Sequence, residues 1–113
     1  MRVVVCGGRD YDNRDLVFLV LAVLQPQVVI EGGASGADAL ARAWTKEVGN
    51  RLITIEADWE THGKAAGPIR NGWMLDRAPD LVLAFPGGKG TENCIAQARA
   101  RGIPVLRVED SET

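Results

Sequence analysis

Hydrophobic positions along the chain fall into five short runs: Val3 to Cys6, Val28 to Ile30, Leu52 to Ile55, Leu81 to Phe85, and Val105 to Val108. They are rich in Val, Leu and Ile, and the central ones do not alternate with polar residues. Strands buried on both faces read this way, so the pattern predicts a parallel sheet. The stretches between them carry helical spacing and predict helices at about 13–24, 35–48, 69–77 and 92–101. Strand–helix alternation of this kind makes right-handed βαβ units and an α/β sandwich. Asp12 or Asn13 is placed to cap the first helix, with Pro26 soon after its end. Pro68 suits the first turn of the third helix and Gly102 can close the fourth. Pro104 stands where the last strand begins, and Arg107 inside that strand marks an exposed edge.

With 113 residues the chain reads as one domain over 1–108, followed by a frayed tail at 109–113. Hydrophobic residues make up 46% and charged residues 25%, which excludes a disordered or low-complexity chain. The net charge of −2 counts against a general nucleic-acid coat protein. Cys6 and Cys94 show no metal-ligand spacing and read as reduced thiols rather than a secreted disulfide framework. The start, Arg2-Val3-Val4-Val5-Cys6, has no signal-peptide pattern. The longest apolar run, Leu16 to Leu24, is nine residues, about half of a membrane span. A soluble, cytoplasmic protein without a membrane partner is expected.

Thirteen glycines are the one excess, and they cluster after the strands. Gly7-Gly8-Arg9-Asp10 follows the first run and Gly32-Gly33-Ala34-Ser35-Gly36-Ala37-Asp38 the second. The third leads into Asp58-Trp59 and on to His62-Gly63-Lys64-Ala65-Ala66-Gly67-Pro68, the fourth into Pro86-Gly87-Gly88-Lys89-Gly90-Thr91. In an open parallel sheet all these loops share the carboxyl edge, where ligands bind. Glycine there brings backbone N–H groups close to a ligand, beside helix N-termini that favour anions. A phosphate- or nucleotide-sized site follows. It is not a P-loop, because Lys89 is followed by Gly90, and neither early glycine cluster has dinucleotide-fingerprint spacing.

The segment from Pro86 to Thr91 resembles the Pro-Gly-Gly-x-Gly-Thr signature of the SLOG superfamily, which includes the Lonely Guy phosphoribohydrolases and the DNA-processing protein A fold. Arg70 and Met74 match the Arg-x-x-x-Met pattern preceding that signature in the phosphoribohydrolases. Gly7-Gly8-Arg9-Asp10, the cluster from Gly32 to Asp38, and Asp58-Trp59 through Arg70-Asn71 are closer still to its YspA-like, cpYpsA-related branch. Pattern and resemblance together predict a Rossmann-like three-layer sandwich with five parallel strands in the order 3-2-1-4-5. They also depart: the phosphoribohydrolases carry a catalytic Glu three residues after the signature Thr, and here that position is Cys94. Their Arg precedes Lys, whereas Arg70 precedes Asn71. Cleaving an N-glycosidic bond passes through a cationic sugar that a carboxylate stabilises. Glu92, roughly 200° around a helix from Cys94, is a poor substitute. No catalytic residue is assigned.

The expected function is therefore a module that senses or sequesters a nucleotide or an ADP-ribose-like ligand. The alternatives are a phosphoribohydrolase releasing base and ribose 5-phosphate from a nucleoside monophosphate, and single-stranded DNA binding. Tight nucleic-acid binding is not expected, because Asp10, Asp12, Asp38, Asp58 and Glu60 interrupt the basic residues of the same loops and aromatics are 5% of the chain. Candidate ligand contacts are Gly7, Gly8, Arg9, Gly33, Ala34, Ser35, Gly36, Asp38, Asp58, Trp59, Arg70, Asn71, Pro86, Gly87, Gly88, Gly90 and Thr91. No cofactor and no metal is expected. Arg9 and Arg70 either clamp phosphate or pair with Asp10, Asp38 or Asp58. Ser35 and Thr91 either bond phosphate or cap helices; Asp38 either meets ribose hydroxyls or supports a helix dipole. Lys64 and Lys89 read as solvated or ligand-directed alike, and His62, the one histidine, as a loop-bonding residue more than an acid or base. Trp59 stacks on a base or covers the core, while Trp44 and Trp73 read as packing residues.

The first helix is apolar all round from Leu16 to Leu24. A stripe through Leu16, Val20 and Val23 suffices to cover the sheet, which leaves Val17, Leu21 and Leu24 facing outward. Such a surface predicts a homodimer, or a dimer of dimers, through this helix.

Overall fold

The computed structural model describes residues 1–110, so residues 111–113 of the expected tail lie outside the described residues. Strands β1 (Arg2–Cys6), β2 (Val28–Glu31), β3 (Arg51–Thr54), β4 (Leu81–Ala84) and β5 (Val105–Arg107) form one parallel sheet ordered β3-β2-β1-β4-β5. The helices are α1 (Arg14–Leu24), α2 (Ala37–Val48), a short α3 (Trp59–His62), α4 (Ala66–Leu75) and α5 (Lys89–Ala100), with a 3-10 turn at Gly63–Ala65. The chain is α/β, as the pattern of apolar runs predicts.

Strand alternation divides the interior into two cores. Val3 and Val5 point to one face and pack with Val17 and Leu21 of α1 and Ala41 and Trp44 of α2. Val4 and Cys6 point to the other and pack with Met74 and Leu75 of α4 and Cys94 and Ile95 of α5. Val3, Val4 and Val5 are completely buried, each worth about 1.5–3 kcal/mol of apolar transfer. The central strand is therefore the axis of both cores. From β1 the chain winds to β2 and β3 on one side, then crosses to β4 and β5 on the other. This reversal opens a crevice beyond the carboxyl ends of β1 and β4.

The structure corrects the reading of α1. Val17 and Leu21 face the core, whereas Leu19 and Val23 are 60% and 74% exposed and Leu16 and Val20 are half-buried. In a helix apolar on every side, periodicity carries no direction. The face is set by the helix's entry, where the Asn13 side chain accepts from Leu16 N at 3.1 Å and donates to Asp110 at 3.0 Å. Trp44 is buried as expected, but Trp73 is 40% exposed and meets the His62 ring edge-on, with centroids 6.1 Å apart. Helix α5 begins at Lys89, inside the glycine signature, because Gly88 forms its start in place of a side-chain cap. Among the described residues no helix is long and apolar enough to cross a membrane.

Candidate ligand-binding site

Three glycine loops meet in the crevice. Gly8 is their junction: its N–H donates to the Pro86 carbonyl at 2.8 Å, and its carbonyl accepts from Ala37 N at 3.1 Å, the first residue of α2. Packing this close excludes side chains. A Cβ on Gly7 would lie 2.5 Å from that of Ala37, and one on Gly36 would collide with the Gly8 carbonyl oxygen. Gly36 also has φ of +70° and ψ of −128°, a conformation closed to L side chains. Gly88 and Gly90 differ in kind. A Cβ there would meet nothing within 4 Å, so these glycines leave space rather than allow contact.

The loops enclose a cavity of about 260 Å³ between β1, α4 and the start of α5. A second, more open lobe of about 290 Å³ adjoins it over the β2–α2 loop. Arg9, Ala34, Trp59 and Arg70 line both lobes and form the divide. Together the lobes have the dimensions of a small-molecule site. Trp59 is half-exposed at the mouth, with the Arg9 guanidinium 5.4 Å from its ring centroid. Of the contacts expected from the sequence, the first lobe gathers Gly7, Gly8, Asp38, Asn71, Gly88, Gly90 and Thr91, and the second adds Gly33 and Ser35. Gly36 instead backs the Gly8 carbonyl. Asp58 caps α3, accepting from Thr61 N at 3.1 Å, and its contacts with Thr61 lower its pKa. Pro86 and Gly87 line a shallow cleft toward β5.

Two carboxylates hold the β2–α2 loop. Glu31, fully buried at the end of β2, accepts from Arg42 of α2 at 2.5 Å and from Gly33 N at 2.9 Å, and also from the Thr54 hydroxyl of β3. Asp38 accepts from Gly32 N at 3.1 Å and Ala34 N at 3.3 Å. Burial pushes the Asp38 pKa up to about 6, with the Glu31 charge adding; the Ala34 and Gly32 N–H groups and Arg70 oppose the rise. So Asp38 braces its own loop from the first turn of α2, the place the helix-dipole expectation gives it, and also lines the first lobe. Arg70 is likewise not in an ion pair in the expected sense: its Nη1 donates to the Gly32 carbonyl at 2.6 Å and its Nε to Asn71 Oδ1 at 3.3 Å. Gly32 is glycine because the Arg70 guanidinium occupies the space of its Cβ. Asn71, buried, donates to the Gly90 carbonyl at 3.2 Å and to Asn93 at 3.1 Å, fixing α4 to the signature loop.

Neither helix-cap expectation matches the geometry. The Ser35 hydroxyl donates to the Arg9 carbonyl at 3.0 Å, and Thr91 lies inside α5 rather than at its start. Glu92 is exposed and paired with Arg107 at 3.0 Å, outside the cavity lining. The candidate contacts leave out Val5, Cys6, Gly67 and Met74 of the first lobe and Gly32, Glu56 and Ala57 of the second. Met74 does stand in the pattern that begins at Arg70, one helical turn earlier, and Cys6 ends β1 directly before Gly7, so helix spacing and strand end carried a signal for these two. Cys6 and Cys94 belong to one buried core cluster beneath the cavity. The neighbouring Cys94 thiol and burial push the Cys6 thiol up, while the Cys6 thiol, with help from Arg70, lowers Cys94 against its burial.

The chain is 37% identical, over 121 aligned residues, to the gene 61 protein of Mycobacterium phage D29, spanning 96% of this chain and 97% of that protein. A family profile described as YspA, cpYpsA-related SLOG matches residues 1–62, from β1 through α3. The match spans both early glycine loops, which meet at Gly8, and the relative spans the signature loop as well. The chain belongs to the YspA, cpYpsA-related SLOG family.

Proposed function

We propose that the protein binds a nucleotide or a nucleotide-derived, ADP-ribose-like ligand in the two-lobed crevice and senses or sequesters it rather than turning it over. The observation that carries this reading is the open pair Gly88 and Gly90 at the start of α5, facing Arg9, Arg70 and Trp59 across one cavity. Backbone N–H groups and a helix N-terminus suit phosphate oxygens, Arg supplies planar bidentate donors, and an exposed indole suits a base. Turnover lacks the matching parts. Cys94 stands at the family's carboxylate position, Glu92 is engaged with Arg107, and Asp38 is committed to its loop. Calorimetry with AMP and ADP-ribose tests the proposal. Saturable binding that weakens about tenfold or more in Arg70→Ala, roughly 1.4 kcal/mol, supports it. Chromatographic release of free base from a nucleotide panel, above an Arg70→Ala control, replaces it with the hydrolase reading.

The proposal includes self-association through the outer side of α1. Leu19 and Val23, one turn apart, are its exposed apolar pair, and Val17 and Leu21 are excluded because they serve the core. Sedimentation equilibrium should show a species above 12.2 kDa that Leu19→Glu converts to monomer. A 12.2 kDa species at tens of micromolar, on the order of 10 µM upward for a weak dimer, refutes this part.

A further inference from the structure

The two lobes of the crevice differ in how their carboxylates are spent. In the first lobe the carboxylate is Asp38, which accepts from the Gly32 and Ala34 N–H groups. In the second it is Glu56, two residues beyond the end of β3 and three before Trp59. Glu56 is exposed and, among the described residues, makes no hydrogen bond or ion pair. Its place is nevertheless defined: a Cβ on Gly33 would lie 2.8 Å from the Glu56 Cγ and 3.1 Å from its Oε1, so the side chain lies along the glycine loop. The loop's own donors are used. The N–H groups of Gly32 and Ala34 go to Asp38, that of Gly33 goes to Glu31, and the Ser35 hydroxyl goes to the Arg9 carbonyl. Arg9 and Arg70 line both lobes and favour neither. A phosphate in the second lobe would therefore face a free carboxylate beside spent donors. In the first lobe it faces the start of α5 and a carboxylate already engaged.

We propose that Glu56 is the specificity-determining residue of this site, accepting a pair of neighbouring N–H or O–H donors from the end of the ligand opposite its phosphate. The inference rests on the nucleotide reading above and gives it a direction, with phosphate at the start of α5 and the donor pair over the β2–α2 loop. Two parts of nucleotide-like molecules carry such a pair. One is guanine, whose N1–H and N2 amino group lie side by side; the matching edge of adenine sets one donor beside a lone pair that a carboxylate repels. The other is the cis-diol of an outlying ribose, as on ADP-ribose. Two parallel bonds to one carboxylate are charge-assisted, and an analogue lacking either donor is rejected by the oxygen left unpaired. Trp59 lines the same lobe and can pack against either group.

Calorimetry on the parent and on Glu56→Gln, with GMP against AMP and ADP-ribose against ADP, is the test. The substitution keeps the side chain's size and breaks no bond among the described residues, but it puts a donor where an acceptor stood. In the parent, the donor-bearing member of one pair should bind at least about tenfold more tightly than its counterpart, and Glu56→Gln should cut that margin below about threefold. A margin for GMP assigns the donors to the base; one for ADP-ribose assigns them to the sugar. Smaller parent margins in both pairs, or a larger margin left in the variant, overturn the proposal and leave the nucleotide reading standing. So does an equal gain in affinity for all four ligands, because Glu56 would then do no more than repel phosphate. Absence of binding of all four to the parent removes the nucleotide reading and this inference with it.

Discussion

The β2–α2 loop and the β4–α5 loop face each other across the crevice and are both rich in glycine, yet their glycines answer different demands. In the first, Gly32 makes room for the Arg70 guanidinium and Gly36 for the Gly8 carbonyl, while Glu31 and Asp38 accept the loop's N–H groups. That loop is a wall, cross-braced by carboxylates. In the second, Gly87 is confined by Thr91 and Gly8, but Gly88 and Gly90 beyond it border open space and the chain runs straight into α5. On the proposed reading that loop is the receiver, at a helix start of the kind that favours anions. A count of glycines treats the two alike; the neighbours of a Cβ separate them.

The contrast is broken most directly by adding one methyl to each side. Gly36→Ala meets a φ of +70° and a collision with the Gly8 carbonyl, so a loss of about 5 kcal/mol is expected, enough to unfold a marginal domain. Gly88 has φ of −102° and open surroundings, so Gly88→Ala should cost only the loss of a favourable N-cap residue, about 1 kcal/mol. Its effect should appear instead as weaker binding of AMP or ADP-ribose. Urea melts of both variants, with calorimetry on the second, check the pair. Comparable stability losses in both would mean that the two loops are built alike.

Next in size is the brace itself. Glu31 has no exposed surface and is held by Arg42, Gly33 N and Thr54. Glu31→Ala leaves a half-buried guanidinium and two donors without their acceptor, for an expected loss of about 4 kcal/mol. Arg42→Met removes the opposing charge and leaves the carboxylate buried, so it should cost a similar amount; the double variant should recover part of it. Denaturant midpoints for the four-protein cycle measure the coupling, and simple additivity would show that the pair does not act as one unit.

The strands and the clustering of glycine loops at one sheet edge were legible in the sequence because each depends on local pattern plus the rules of parallel sheets, and the strand order because the family resemblance was added to that pattern. Runs such as Val3-Val4-Val5 have no polar face to offer, and a loop of Gly32 to Gly36 after a strand has one edge to occupy. The braces were not legible. Nothing local tells that Glu31 will find Thr54 and Arg42, or that Arg70 will reach the Gly32 carbonyl. The gathering of Cys6 and Cys94 into one core cluster is likewise created by packing between distant elements. The exposed side of α1 escapes the sequence for a related reason: with apolar residues all round, the sheet and the Asn13 cap choose the face.

The smallest expected effect, and the finest probe of the wall, is the pH dependence carried by Asp38. Its pKa is raised from 3.8 to about 6 in the folded protein, so the folded state holds a proton that the unfolded chain has already released. Stability from this group is full below about pH 4 and is lost as pH rises through about 6, after which it is level. The whole span is on the order of 3 kcal/mol at most, since each tenfold change in proton affinity corresponds to about 1.4 kcal/mol. Asp38→Asn retains an oxygen for the Gly32 and Ala34 N–H groups but cannot ionise, so its stability should lose this slope. Ligand binding should run the opposite way if sugar hydroxyls donate to Asp38, because they favour the ionised form. ADP-ribose is the useful ligand here, since its pyrophosphate lacks the phosphate titration near pH 6 that AMP has. Its affinity should rise between about pH 5 and 7 in the parent and stay flat in Asp38→Asn. Urea melts and calorimetry over that range measure both slopes. A parent slope unchanged by Asp38→Asn would assign the pH dependence elsewhere and leave Asp38 as a brace that never meets the ligand.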